Sequence, residues 1–190
     1  MKWHGFCEPM EIFRYDTIDS SNDECFRHFD RRQMLPFAIV ATTQTKGKGQ
    51  FDRTWYSADA GNLYVSFAFK PQQSPEKFQN FSIAVAEKIA ERLQRTFGVP
   101  LTVKYPNDIY CDGKKMCGIL TETRVVGHEI ILAVTGIGLN VAGDISRFPG
   151  ELQATATTLS ACCKRKIPPG EVEAILFEII EKLLPQHASQ

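Results

Sequence analysis

Apolar positions change period along the chain, and the changes mark its elements. Over residues 11–18, Ile12, Phe13, Tyr15 and Ile18 predict a first strand. Asp19-Ser20-Ser21-Asn22 follows, three of which can cap a helix that Asp23-Glu24 would open with acidic residues. The β-branched-rich run 37–42 predicts a short buried strand, residues 47–61 a glycine-containing polar loop, and residues 63–69 another strand. Ser74-Pro75-Glu76 is a helix start, with Ser as cap and Pro at the first helical position. Phe78, Phe81, Val85, Ile89 and Leu93 then recur at helical spacing, predicting one amphipathic helix that Gly98 and Pro100 end. From 101 to 139 the pattern shortens to strands, with turns at Tyr105-Pro106-Asn107-Asp108 and Asp112-Gly113. Residues 119–126 and 129–135 are expected to pair across Gly127-His128. A last amphipathic helix carries Ile175, Leu176, Ile179, Ile180 and Leu183, with Pro185 as its stop. Consecutive strands after residue 100 argue against regular βαβ alternation. The expected fold is α+β: a mixed, largely antiparallel sheet with helices packed on it, residues 1–190 forming a single domain.

Composition narrows the function classes. The chain is 43% hydrophobic and 23% charged, as in ordinary globular domains. Lys+Arg and Asp+Glu stand at 22 each, which gives no electrostatic case for a nucleic-acid partner. The first residues, Met1-Lys2-Trp3-His4-Gly5, hold no apolar signal core, and no apolar run is long enough for a membrane span. Cys7, Cys25, Cys111, Cys117, Cys162 and Cys163 form no C-x-x-C pair and no metal-ligand spacing. They are read as reduced thiols of a cytoplasmic protein, with no protein-ligated metal.

Familiar motifs fail one by one. Asp52 stands where a dinucleotide fingerprint starting at Gly47 needs its third glycine. There is no phosphate loop of the G-x-x-x-x-G-K-[ST] type, no G-x-S-x-G, and no second histidine to complete a zincin motif with His128-Glu129. Three clusters are left. In the first, Gly47 and Gly49 flank Lys48, with Lys46 and Arg53 nearby. Such a loop lets backbone N–H groups approach an anion, although it also describes a solvated surface loop. The second is Lys104-Tyr105-Pro106-Asn107-Asp108 followed by Lys114-Lys115-Met116-Cys117-Gly118, which taken alone is a hairpin turn with exposed lysines. The third is Gly136-Ile137-Gly138-Leu139-Asn140, where two glycines at a strand end admit a flat ligand or form a bulge.

In this order and spacing the clusters resemble the catalytic domain of biotin–protein ligases. That family's G-R-G-R-x-G-R-x-W loop is matched by Gly47-Lys48-Gly49-Gln50-Phe51-Asp52-Arg53-Thr54-Trp55, then Ser57 and Asn62-Leu63-Tyr64. Its K-W-P-N-D, R-K-L-x-G-I-L-x-E and G-x-G-[IL]-N appear at 104–108, 114–122 and 136–140, and its D-S-T-N at 19–22. The resemblance implies a fold like that of class II aminoacyl-tRNA synthetases. It also implies an ATP- and Mg²⁺-dependent reaction that forms biotinyl-5′-adenylate and then acylates a lysine of a biotin carboxyl carrier domain, as in acetyl-CoA carboxylase. It assigns Ser20, Ser21, Asn22, Gln44, Gly47, Lys48, Gly49, Gln50, Lys115, Gly118 and Gly138 to biotin. Lys48, Gln50, Arg53, Trp55, Asn107, Lys115 and Asn140 fall to ATP or the adenylate. Lys115 would stabilise charge, and Asp108 would orient the acceptor lysine or the metal.

Among the departures from the family pattern, those in the loop matter most: Lys48 and Gln50 replace arginines, and Asp52 replaces a glycine. Lysine lacks the bidentate fork of arginine and glutamine lacks charge, so looser retention of the adenylate is expected. Neither a DNA-binding domain before residue 11 nor a small β-barrel after residue 185 is expected, and two copies could pair as a homodimer through sheet edges. The rival readings are a lipoate or octanoate ligase or transferase, and a non-catalytic biotin-binding or carrier-docking module.

Overall fold

The computed structural model of the chain describes residues 10–184. Cys7 and Pro185 lie outside them. In chain order the elements are β1 (Glu11–Ile18), α1 (Ser21–Arg32), β2 (Phe37–Gln44), β3 (Leu63–Phe69), α2 (Pro75–Phe78), α3 (Phe81–Phe97), β4 (Leu101–Lys104), β5 (Asp108–Cys111), β6 (Lys114–Val126), β7 (Glu129–Leu139), α4 (Gly150–Gln153), α5 (Leu159–Cys163) and α6 (Pro169–Leu183). The strands form one seven-stranded sheet in the order β1-β2-β3-β7-β6-β5-β4. Only β1 and β2 run parallel, which requires a crossover, and the 12-residue α1 supplies it. All other neighbours are antiparallel, so the expected mixed, largely antiparallel α+β sheet is what forms.

Each face of the sheet carries its own cover. Period-two alternation in β3 sends Leu63, Val65, Phe67 and Phe69 into the larger core with α3 and α6, and Ala68 into a smaller cluster with Cys25 of α1. Tyr64 and Ser66 alternate with the first set and are buried on the α1 side. Helix α1 covers only part of that face. Beyond its N-terminus the half-buried floor of the site is built from Gly118, Leu120, Gly136 and Gly138 of β6 and β7.

Two expectations change. The helix predicted from residue 74 is broken at Gln79–Asn80, where Asn80 leaves helical geometry (φ −91°, ψ 8°), and Ser74 makes no side-chain cap bond. The break stacks Phe78 on Phe81 at 4.8 Å and turns both rings to Phe69. Aromatic packing outweighs continuous helical hydrogen bonding here. The hairpin around Gly127, which takes φ +60°, extends further back than its apolar run, with Gly118 pairing Gly138 and Cys117 pairing Leu139. Ladder hydrogen bonds do not depend on side chains, so glycines that read as loop are held as strand.

Candidate active site

The N-terminus of α1 forms the polar end of the site. Ser20 caps the helix, accepting from Asp23 N–H at 3.4 Å, while Arg27 binds Asp19 through paired bonds of 2.6 and 3.0 Å. Those bonds hold the Asp19 carboxyl down at a pKa of about 2. Gln44 ties this corner to the loop: its Oε1 accepts from Ser21 N–H (2.7 Å) and its Nε2 donates to Ser57 Oγ (2.9 Å). Ser66 Oγ lies 2.7 Å from both Ser21 Oγ and Asn22 Oδ1, and Asn22 Nδ2 donates to Glu122 Oε2 at 2.7 Å. A Cβ at Gly136 would overlap Asn22 Oδ1, so this glycine is needed for close approach rather than for a bulge. The β6–β7 register is unbroken there.

Lys115 reaches the same face through a bulge. Gly118 and Leu120 face the site and Cys117 and Ile119 face the larger core, so strict alternation would send residue 115 to the core. Between Ile109↔Cys117 and Tyr110↔Lys115 the register shifts, and Met116 takes the extra place, fully buried. The bulge re-aims Lys115 into the site. Residues 155–157 clamp it there: Lys115 N–H donates to Thr155 O (2.8 Å), and Thr157 N–H donates to Lys115 O (3.0 Å). Its Nζ stands 2.8 Å from Asp108 Oδ1 and 5.2 Å from the Trp55 ring centre, and the side chain is half-buried at 33% exposure. The Asp108 contact is an ion pair by distance without hydrogen-bond geometry, so the buried Oδ1 has no donor. Asn107 locks the preceding turn to β6, donating from Nδ2 to Ile119 O at 2.7 Å.

The loop folds back on itself as a small hairpin. Trp55 N–H donates to Gly47 O (2.8 Å), Gly49 N–H to Arg53 O (2.6 Å), and Lys48 bridges Thr54. A Cβ at Gly47 would come within 2.5 Å of Trp55 O. Lys48 points to Asp23 and, at 3.7 Å, to Glu122, and its hydrogen bond to Asp23 raises its pKa. Trp55 lies flat on the floor, where a Cβ at Gly138 would meet its ring at 2.5 Å and one at Gly118 would meet it at 2.9 Å. The ring divides two cavities. The first, at the polar end, has a volume of about 50 Å³, below the roughly 150 Å³ that holds a benzene ring. A bicyclic ligand therefore seats there only when the loop or Trp55 shifts. The second, about 460 Å³, is walled by Tyr56, Phe148 and Leu152 and bordered by Arg53, Lys104, Lys115, Asp108 and Asn140. Two buried polar atoms, Trp55 Nε1 and Asn140 Oδ1, have no hydrogen-bond partner.

The expected site residues come together with one division of labour. Ser20, Ser21, Asn22, Gln44, Lys48, Gly118 and Gly138 line the first cavity, and Arg53 and Asn140 the second. Gly49, Gln50, Trp55, Asn107, Asp108 and Lys115 border both. Gly47 borders neither and serves the loop hairpin and the groove beside Lys48. Sequence reasoning missed Ser66, Lys104, Tyr56, Phe148 and the clamp at 155–157. Ser66 had a signal, a polar residue inside the otherwise apolar β3. Lys104 and Tyr56 stand within or beside clusters already singled out, whereas Phe148 and the clamp had no signal, because they belong to distant segments.

Comparisons with known proteins identify the family and the fold. The profile described as "Biotin/lipoate A/B protein ligase family" matches residues 17–140, and the chain belongs to that family. The bifunctional ligase/repressor BirA of Bacillus subtilis is 32% identical over 167 residues, covering 87% of this chain and 51% of that protein. The chain thus spans about half the length of the curated relatives it matches. Among solved structures, biotin protein ligase from Aquifex aeolicus in complex with biotin and ATP superposes with a TM-score of 0.73 at 27% identity, covering 90% of this chain and 69% of that one. The ligase from Leishmania major in complex with biotinyl-5-AMP gives a TM-score of 0.74 at 22% identity, with coverages of 92% and 75%, a likeness of fold. No described helix is long and apolar enough to cross a membrane.

Proposed function

We propose that this chain is the catalytic domain of an ATP-dependent biotin–protein ligase. The observation that carries the reading is the bulge-directed Lys115, paired with Asp108 where the two cavities meet. Biotin's ureido ring would lie at the polar end, among Ser20, Ser21, Asn22 and Gln44, and its carboxylate beside Lys115. ATP would lie in the second cavity, with Arg53, Lys104 and Lys115 toward the phosphates. The carboxylate oxygen attacks the α-phosphorus and pyrophosphate leaves. The Lys115 ammonium stabilises the negative charge that gathers on the phosphoryl oxygens. An acceptor lysine amine then attacks the acyl carbon of the mixed anhydride and AMP leaves. Asp108 is placed to orient that amine and accept its proton.

Mg²⁺ bound with ATP would neutralise phosphate charge. Such ions use one or two carboxylates beside the phosphates, and Asp108, which borders both cavities, is the carboxylate that would hold it. The acceptor is read as a biotin carboxyl carrier domain in the cytoplasm.

The polar corner favours biotin over lipoate or octanoate. An apolar tail there would desolvate the remaining hydrogen-bond capacity of Ser21, Asn22 and Gln44, whose other groups already bond within the corner. Biotin-dependent ATP–pyrophosphate exchange, followed by transfer to a purified carrier domain, tests the reading. Exchange with lipoate or octanoate and not with biotin would overturn the substrate assignment. Biotin binding without any exchange would make the chain a binding module.

A further inference from the structure

Met34, Phe51, Tyr105, Val125 and Val126 are the large apolar side chains that stand in solvent among the described residues. Met34 follows α1, and the two valines sit at the β6–β7 turn. Phe51 and Tyr105 instead border the second cavity, at 84% and 64% exposure. Phe51 and Asp52 are the central residues of the loop's tight turn, with φ of +57° and +58°. Turns of this hand favour Asn-Gly, and a bulky side chain is costly in the left-handed region. The Phe51 ring belongs to neither apolar cluster, so no packing within the chain offsets that cost. Tyr105 is anchored, its hydroxyl donating to Glu87 Oε1 at 2.8 Å.

We infer that Phe51 is a base-stacking residue for the nucleotide. It closes over the second cavity, with the anchored Tyr105 ring as the facing wall, and holds a planar purine such as the adenine of ATP between them. The inference rests on the ligase reading and adds a residue to it. The rest of the cavity already suits a nucleotide, with cations at Arg53, Lys104 and Lys115 along its border. An aromatic cover at the mouth is the element such a ligand still needs. Stacking is indifferent to charge, so it also suits a loop in which Gln50 offers no cation to the phosphates.

The test is equilibrium binding of ATP, of inorganic tripolyphosphate and of biotin to wild-type protein, Phe51→Ala and Phe51→Trp. Removing a base-stacking ring weakens binding about five- to a hundred-fold. Phe51→Ala should weaken ATP by that factor, leave tripolyphosphate and biotin unchanged, and be rescued by Phe51→Trp. Since Phe51 is exposed, neither variant should impair folding. Unchanged ATP affinity in Phe51→Ala overturns the inference. So does equal weakening of all three ligands, which means a distorted loop. A wild-type chain that binds biotin but not ATP, or binds neither, fails earlier, at the ligase reading itself.

Discussion

Lys115 and Gln50 border the same two cavities, yet their backbones are held differently. The floor under Lys115 is bonded on both sides, through β5, through β7 by way of Cys117 and Gly118, and through the clamp at 155–157. The loop carrying Gln50 has a few bonds across its own hairpin, a turn of two non-glycine residues at positive φ, and one ionic tether from Lys48 to Asp23 and Glu122. A group that must meet a transition state within a fraction of an ångström gains from the first arrangement. A segment that must open for a ligand and close over it gains from the second. The departures that lose an arginine's charge or a glycine fall in the loop, whereas those near the floor, Tyr105, Lys114 and Met116, are conservative, and Asp108, Lys115, Gly118 and Gly138 are retained.

Changes on each side should sharpen this contrast. Lys115→Ala should lower kcat for biotin-dependent pyrophosphate exchange by about 10²–10³-fold, with circular dichroism and unfolding midpoint little changed. An equal exchange rate would move the chemistry away from the floor. In the loop, Gln50→Arg should slow escape of labelled biotinyl-adenylate about ten- to a hundred-fold, since a charge-assisted hydrogen bond is worth roughly 1.5–3 kcal/mol. Its read-out is adenylate release and labelling of bystander lysines, and identical release from both proteins would sink the idea. Asp52→Gly should relax the turn and raise stability by at most about 1 kcal/mol, measured as a shift in urea midpoint. The smallest effect concerns acid. The Asp19 carboxyl is held down to about 2 by Arg27, so its contribution is full above pH 4 and is lost as pH falls through 2. Asp19→Asn should flatten the fall of thermal midpoint across that window, and an unchanged profile would remove Asp19 from the acid response.

Much of this site can be read in order along the chain because its parts are short and local. The Asp19-Ser20-Ser21-Asn22 corner is a helix cap, Gly47 and Gly49 lead into a turn, and Asn107-Asp108 enter a strand after a turn; each depends on neighbours within a few residues. Lys115 was legible as a residue but not as a position, since plain alternation aims it at the core. Lys48 lines the first cavity, and its pairing with Asp23 and Glu122 is a partner choice made across more than 20 residues of chain. Phe148, Leu152 and Thr155 gave no signal, because nothing nearby in sequence tells them that they wall a cavity.

The sequence by itself determined the alternating and helical periods, the caps and turns, and the inventory of glycines, lysines and carboxylates; all follow from local sterics and hydrogen bonding. Only the tertiary structure decided which face Lys115 serves, that Gly118 and Gly138 clear space for Trp55, and that this ring divides two cavities. The reason is physical. Register shifts and close packing are settled by contacts between strands and loops far apart in the chain, and no local propensity encodes them.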